Sequence, residues 1–239
     1  MCFKQLALCY LKCLKSNKKY KKPGIKYDQI KSQFKPLDLI LFRGDDFVSN
    51  TISELEDIFL GNGNWSHCGL VLTTDIIPIK NGKPGVLYIW ESTFDEVADV
   101  ELDEQLLGVQ VRELKKVVKN YDMSKKTSIA WCKLKNNILY DENNNIDPNI
   151  KFLMCNLYIK YNHKGFDYNV GNLCSTICKC CCNNNNDRLF CSELVATIYK
   201  ELNIIPNYID PQQIAPIEFL GFTDNDLPQV VNNPVVIKY

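Results

Sequence analysis

An α+β domain is the fold class this sequence predicts, on three observations. Short apolar runs bounded by turn residues recur through residues 37–133, two later segments space their apolar residues as helices do, and 46% of the 239 residues are hydrophobic. The last figure is enough to build a substantial core. In chain order the runs are Leu39–Phe42, Cys68–Leu72, Val86–Trp90, Val109–Val111 and Ser128–Lys133, each the signature of a buried strand. Between the first two, Val48, Ile52, Leu55, Ile58 and Phe59 make Phe47–Leu60 an amphipathic helix. Asn143–Asn145 with Asp147 and Pro148 marks a polar loop, and Asn149–Tyr161 follows as a helix. Residues 172–187 are irregular, a cysteine group followed by Asn183–Asn186, and read as an inserted loop. After it, Leu194, Val195, Ile198, Tyr199 and Leu202 make Cys191–Leu202 a helix that Pro206 closes. No repeat of the length used by solenoid proteins is present.

The chain divides by charge. The total is neutral, 28 basic residues against 28 acidic, and gives no reason to expect a nucleic-acid partner. Residues 1–35, however, hold ten lysines and one aspartate, so residues 36–239 keep 18 basic and 27 acidic groups. A basic arm (1–35) precedes an acidic body (36–239). In the arm, Phe3, Leu6, Ala7, Tyr10, Leu11 and Leu14 are helix-spaced, with Lys4, Lys12 and Lys15 largely opposite and Lys18, Lys19, Lys21 and Lys22 following. That stretch is too short and too charged to span a bilayer. It suits an anionic membrane surface through residues 1–22, with Cys2, Cys9 and Cys13 as acceptors for palmitate, and it equally suits a solvated basic tail. Position 2 is not glycine, which excludes myristoylation.

Twelve cysteines are many for this length, but lysines interrupt the N-terminal apolar run, so no cleavable secretory signal is read. The chain is expected to be cytoplasmic or virion-associated, peripheral to a membrane at most, and not secreted. Among Cys174, Cys178, Cys180, Cys181 and Cys182 only the first two have zinc-like spacing, and three are consecutive. An exposed loop is preferred to a metal site or a lipidated loop. No phosphate loop, dinucleotide fingerprint or calcium loop is found, and no cofactor is expected.

Only His67 and His163 offer an imidazole. His67 opens the Cys68–Leu72 strand, and because strand side chains alternate, Cys68 points to the other face and is a poor partner for it. Cys191 opens a helix, where the dipole and the unpaired N–H groups of the first turn lower a thiol pKa. A Cys–His pair then wants a third group to fix the imidazole tautomer. Glu91, ending a mostly apolar strand, is costly to bury unless paired, and His67 would resolve that cost. Glu193, two residues along the helix from Cys191, points roughly 200° away and is read as structural. Asp38 is read as a hydrogen-bonding strand or turn residue, and His163 as exposed. Taken singly, each of the three chemical residues is more often structural than catalytic; their order and context are more specific.

Those contexts carry a resemblance. Leu37-Asp38-Leu39-Ile40-Leu41-Phe42-Arg43-Gly44, Ser66-His67-Cys68-Gly69-Leu70-Val71, Trp90-Glu91-Ser92 and Phe190-Cys191-Ser192-Glu193-Leu194-Val195 resemble the successive blocks of the circularly permuted NlpC/P60 papain-like hydrolases, in the branch with the YiiX-type and poxvirus members. Gly165-Phe166-Asp167-Tyr168 is similar to the family's Tyr-Asp segment before the cysteine helix. The permutation places His before Cys, as here, and the likeness spans residues 36–222. It implies an antiparallel sheet or small barrel packed on helices, with Cys191 as nucleophile, His67 as general base and Glu91 orienting it. Two departures stand out: Leu37 occupies the place of a usual glycine, and Cys68 that of an aliphatic residue, which reads as a small buried hydrophobe. The insertion at 172–187 has no counterpart.

The expected function is a cysteine hydrolase or acyltransferase cleaving an amide or ester through a thioester. Its expected partner is a peptide, protein or lipid-type acyl substrate. Two rival readings keep the fold: a catalytically silent virion or binding protein, and a peptidase acting on a protein such as ubiquitin.

Overall fold

The computed structural model describes residues 24–44, 65–94, 96–123, 128–166, 188–221 and 227–239. The expected helix Phe47–Leu60, the loop 172–187 and the basic stretch 1–22 lie outside these residues. Within them, nine strands form one open sheet: β1 (Ile25–Lys26), β2 (Leu39–Arg43), β3 (His67–Leu72), β4 (Tyr88–Phe94), β5 (Leu107–Glu113), β6 (Ser128–Cys132), β7 (Gly165–Phe166), β8 (Arg188–Leu189) and β9 (Val235–Lys238). Their order across the sheet is β1-β9-β6-β2-β3-β4-β5-β7-β8, antiparallel except for β1–β9 and β7–β8. Four α-helices accompany it: α1 (Tyr27–Ile30), α2 (Leu114–Met123), α3 (Pro148–Tyr161) and α4 (Cys191–Glu201). The mixed α/β character expected from the sequence is present, as a linear sheet rather than the small barrel.

The central strands are buried on both faces, which is why the sequence shows continuous apolar runs instead of alternation. One face carries Leu39, Leu41, Leu70, Leu72, Trp90 and Val111 against Met154 and Leu157 of α3 and Leu194 and Ile198 of α4. The other carries Ile40, Phe42, Val71, Ile89 and Ile129 against Val117 and Val118 of α2 and the segment Tyr27–Phe34. Helix α2 has no separate signal in the sequence reading. It follows β5 without an intervening turn residue, and its apolar spacing (Leu114, Val117, Val118, Tyr121) covers only ten residues.

Helix α3 begins as its sequence requires. Asp147 caps it by accepting the N–H of Asn149 and Ile150, with Pro148 in the first turn. Asp38 does structural work, as expected: its buried carboxylate accepts the Lys35 N–H, the Trp131 indole N–H and the Leu134 N–H, tying the start of β2 to β6. Leu37 adopts φ +70°, the left-handed region that favours glycine. The side chain is fully buried, its N–H donates to Val71 O, and its carbonyl accepts the Tyr199 hydroxyl at 2.8 Å. His163 is exposed, as expected; its ring is hydrogen-bonded to Asn162 and 3.6 Å from Asp99 Oδ1.

Candidate active site

Strand β3 delivers His67, β4 delivers Glu91 and the first residue of α4 is Cys191. His67 Nε2 donates to Glu91 Oε2 at 2.5 Å, which leaves Nδ1 for the Cys191 thiol, hydrogen-bonded to the same ring. One face of the imidazole packs against Phe42, with ring centroids 5.0 Å apart, and Phe42 in turn packs on Tyr121 of α2. The ring is therefore oriented by a hydrogen bond and by an aromatic wall.

Arg112 extends this chain of contacts. From β5, its guanidinium donates to Glu91 Oε1 through Nε at 2.9 Å and a terminal nitrogen at 2.5 Å. Both side chains are buried, with Arg112 at 1% and Glu91 at 0% exposure. Glu91 thus joins His67 to Arg112. Two oxygens serve two partners, one cation on each side.

Gly69 makes room for this arrangement. A Cβ at position 69 would lie 2.8 Å from the Glu91 Cβ and 2.9 Å from the Ile89 side chain, closer than atoms pack. Ser66, the first residue of the same motif, accepts the Gly44 N–H while its own N–H donates to Phe42 O, which fixes the entry into β3.

How Cys191 reaches this site follows from sheet register. Val71 N–H donates to Asp38 O across β2–β3, so by alternation the Cys68 N–H points the other way, toward β4. The β3–β4 register, however, runs from Leu72↔Tyr88 to Leu70↔Trp90. Cys68 and His67, neighbours on β3, both act on the Cys191 thiol. Cys68 is the small buried core residue expected from the sequence, and it also acts on the Cys191 thiol.

Two further bonds place the helix start. Ser92 Oγ donates to Leu189 O at 2.6 Å, joining β4 to the residues just before Cys191. Glu193, buried in the first turn, accepts the Phe190 N–H at 3.2 Å, so its structural role is to cap α4.

The charges follow from these contacts. The Cys68 thiol bonded to Cys191 leads the effects that hold it well below the ordinary thiol range; burial opposes, and the His67 cation adds to the lowering. Burial disfavours the His67 cation, but Cys191 and Glu91 outweigh it and raise the ring to about 10. Burial would raise Glu91, and Arg112 and His67 together reverse it. Both shifts favour a thiolate beside an imidazolium.

Residues Cys191, His67 and Glu91, nominated from sequence, are thus brought together. Arg112, Ser92 and the effect of Cys68 on Cys191 were not nominated. Arg112 had a readable signal, since a charge directly after the apolar run Val109–Val111 needs a buried partner just as Glu91 does. Among the described residues no group of three or more His, Cys, Asp or Glu is placed to hold a metal ion, and the cysteines 174–182 lie outside them. Neither a protein-family model nor a curated protein matches the chain.

Proposed function

We propose that the chain is a cysteine hydrolase or acyltransferase of the permuted NlpC/P60 papain-like kind, acting on an amide or ester. The observation that carries this reading is the continuous polar chain Arg112–Glu91–His67–Cys191, ending in a cysteine at a helix start whose thiol is held well below its ordinary range. In the reaction Cys191 Sγ attacks the carbonyl carbon. The developing oxyanion meets the backbone N–H groups of the first turn of α4. His67 then gives its proton to the leaving group, an acyl thioester remains on Cys191, and water or another acceptor releases it with His67 as base. Glu91 holds the imidazole tautomer throughout, and Arg112 keeps Glu91 ionised.

The test needs no known substrate. In the full chain, Cys191 is expected to react with iodoacetamide faster than any other cysteine, at a rate that stays level across neutral pH because the thiolate is already formed. His67→Ala is expected to slow that reaction and move its rise toward the ordinary thiol value of 9.0. Equal labelling of all twelve cysteines overturns the reading.

A further inference from the structure

Consecutive residues of β4 reach the two halves of the site from opposite faces of the sheet. Glu91 holds His67 on one face. Ser92, the next residue, turns to the face on which α4 packs and donates its hydroxyl to Leu189 O at 2.6 Å. Leu189 lies two residues before Cys191 in β8, a strand of two residues at the sheet edge whose partner is β7. So short a pairing does little to fix the chain that enters α4. Ser92 is fully buried, and a buried hydroxyl in a mostly apolar face is costly unless paired, so its bond to the Leu189 carbonyl is firmly kept. Adjacent Cα atoms are about 3.8 Å apart along the chain. Any drift of β4 therefore carries the Glu91 and Ser92 attachments together, and the separation of base and nucleophile depends on the Ser92–Leu189 bond more than on where the strand lies.

We propose that Ser92 is a positioning residue for the nucleophile, holding Cys191 within reach of His67 through Leu189. Its effect runs through the backbone of residues 189–191, and it touches neither substrate nor the reacting atoms. The inference rests on the reading of Cys191 as nucleophile and deepens it. Cys68 and His67, both on β3, hold the Cys191 thiol well below its ordinary range against the opposition of burial, and that lowering requires the sulfur to stay beside β3. The attraction between a thiolate and an imidazolium weakens as the two separate. Without the Ser92 hydroxyl the Leu189 carbonyl loses its partner, β8 shifts to regain one, and the thiol drifts back toward its ordinary value of 9.0. Tyr199 offers a matched control. Its hydroxyl also donates to a buried main-chain carbonyl, Leu37 O at 2.8 Å, but from the other end of α4. Removing that bond loosens the helix without touching the segment that Ser92 holds.

The experiment follows iodoacetamide labelling of each cysteine in the full chain by mass spectrometry, from about pH 4 to about pH 10, with urea midpoints to confirm folding. In the unchanged protein Cys191 is expected to label fastest; if it does not, the functional reading fails. In Ser92→Ala the midpoint of the Cys191 profile is expected to rise by about one pH unit or more, which lowers the thiolate fraction about tenfold below both midpoints. Ser92→Thr keeps a hydroxyl and is expected to restore the original midpoint. Ser92→Val, similar in shape to threonine and suited to a strand, is expected to behave as the alanine variant does. Tyr199→Phe is expected to lower the urea midpoint and leave the labelling profile in place. With Cys191 fastest in the unchanged protein, the functional reading stands and this inference falls if Ser92→Ala folds and keeps the original profile, or if Tyr199→Phe moves the profile as far. Should Ser92→Ala not fold, the threonine and valine variants decide, since they differ by a hydroxyl against a methyl group: equal profiles overturn the inference.

Discussion

At the position of Gly69 a single hydrogen atom decides whether Glu91 can stand beside His67. A methyl group there would press on the Glu91 Cβ at 2.8 Å, and the carboxylate cannot retreat freely because Arg112 grips its other oxygen. Gly69→Ala is therefore expected to destabilise the protein by about 1–3 kcal/mol, the usual cost of overpacking. It should also slow alkylation of Cys191, as Glu91 loses its hold on His67. Urea melts with an alkylation rate measured on the folded fraction check this, and an unchanged rate would show that Glu91 does not orient the ring. Leu37 poses the opposite problem. Its left-handed backbone costs roughly 1–2 kcal/mol in a residue with a side chain, yet full burial of a leucine contributes more, about 2–5 kcal/mol as judged by truncation to alanine. The trade explains how a leucine holds a left-handed position. The motif residues were readable one by one in the sequence. What the glycine makes room for was not, since the atoms it avoids lie on another strand.

Among the elements, those readable in the sequence are the ones whose apolar pattern is local and long enough. The runs that became β2, β3 and β6 and the helices α3 and α4 fall within a residue or two of their expected limits. β7, β8 and β1 are two residues each and exist only through their partners, so no local pattern announces them. The pairing of β4 with β5 matters most to the site. Ile89 stands opposite Arg112 and Glu91 opposite Gln110, which brings the Arg112 side chain diagonally onto Glu91. A buried carboxylate between two cations is stable only as a set. Arg112→Met removes the guanidinium while keeping much of its volume, and is expected to cost about 3–5 kcal/mol because Glu91 remains buried with His67 alone. The pH dependence has a definite sign. The folded-state pKa of Glu91 is depressed, so its contribution is present above the ordinary value of 4.5 and is lost as pH falls through the folded value. Without Arg112 that loss should begin at higher pH. Urea midpoints followed from about pH 7 down to about pH 4 test it; parallel curves for the two proteins would mean that Arg112 does not hold Glu91 ionised.

For the whole molecule, the two cores on either side of one sheet place the chemistry at a seam: Cys191 belongs with the α3–α4 side, while His67 shares its strand face with Phe42 on the α2 side. Only the register of the full sheet shows that the two sides meet there, which is why the sequence marked the three chemical residues but not the effect of Cys68 on Cys191. Charge was readable from sequence at this scale, because it requires no contacts. The ten lysines of residues 1–35 set against an acidic remainder predict that the molecule presents opposite signs to an anionic surface. Among the described residues no helix is long and apolar enough to cross a membrane. Seven lysines lie in residues 1–22, and each near an anionic bilayer contributes about 1 kcal/mol before salt screening. Deleting residues 1–22 is expected to release the protein from phosphatidylserine vesicles while the urea midpoint of the remainder stays the same. Raising the salt concentration should release the full chain in the same way, since the attraction decays over about 8 Å at physiological ionic strength. Equal sedimentation of the two chains with vesicles at low salt would assign the basic stretch to solution and remove the membrane from the choice of substrate. Retention of the full chain at high salt would point instead to acyl chains on Cys2, Cys9 or Cys13, which hydroxylamine would release.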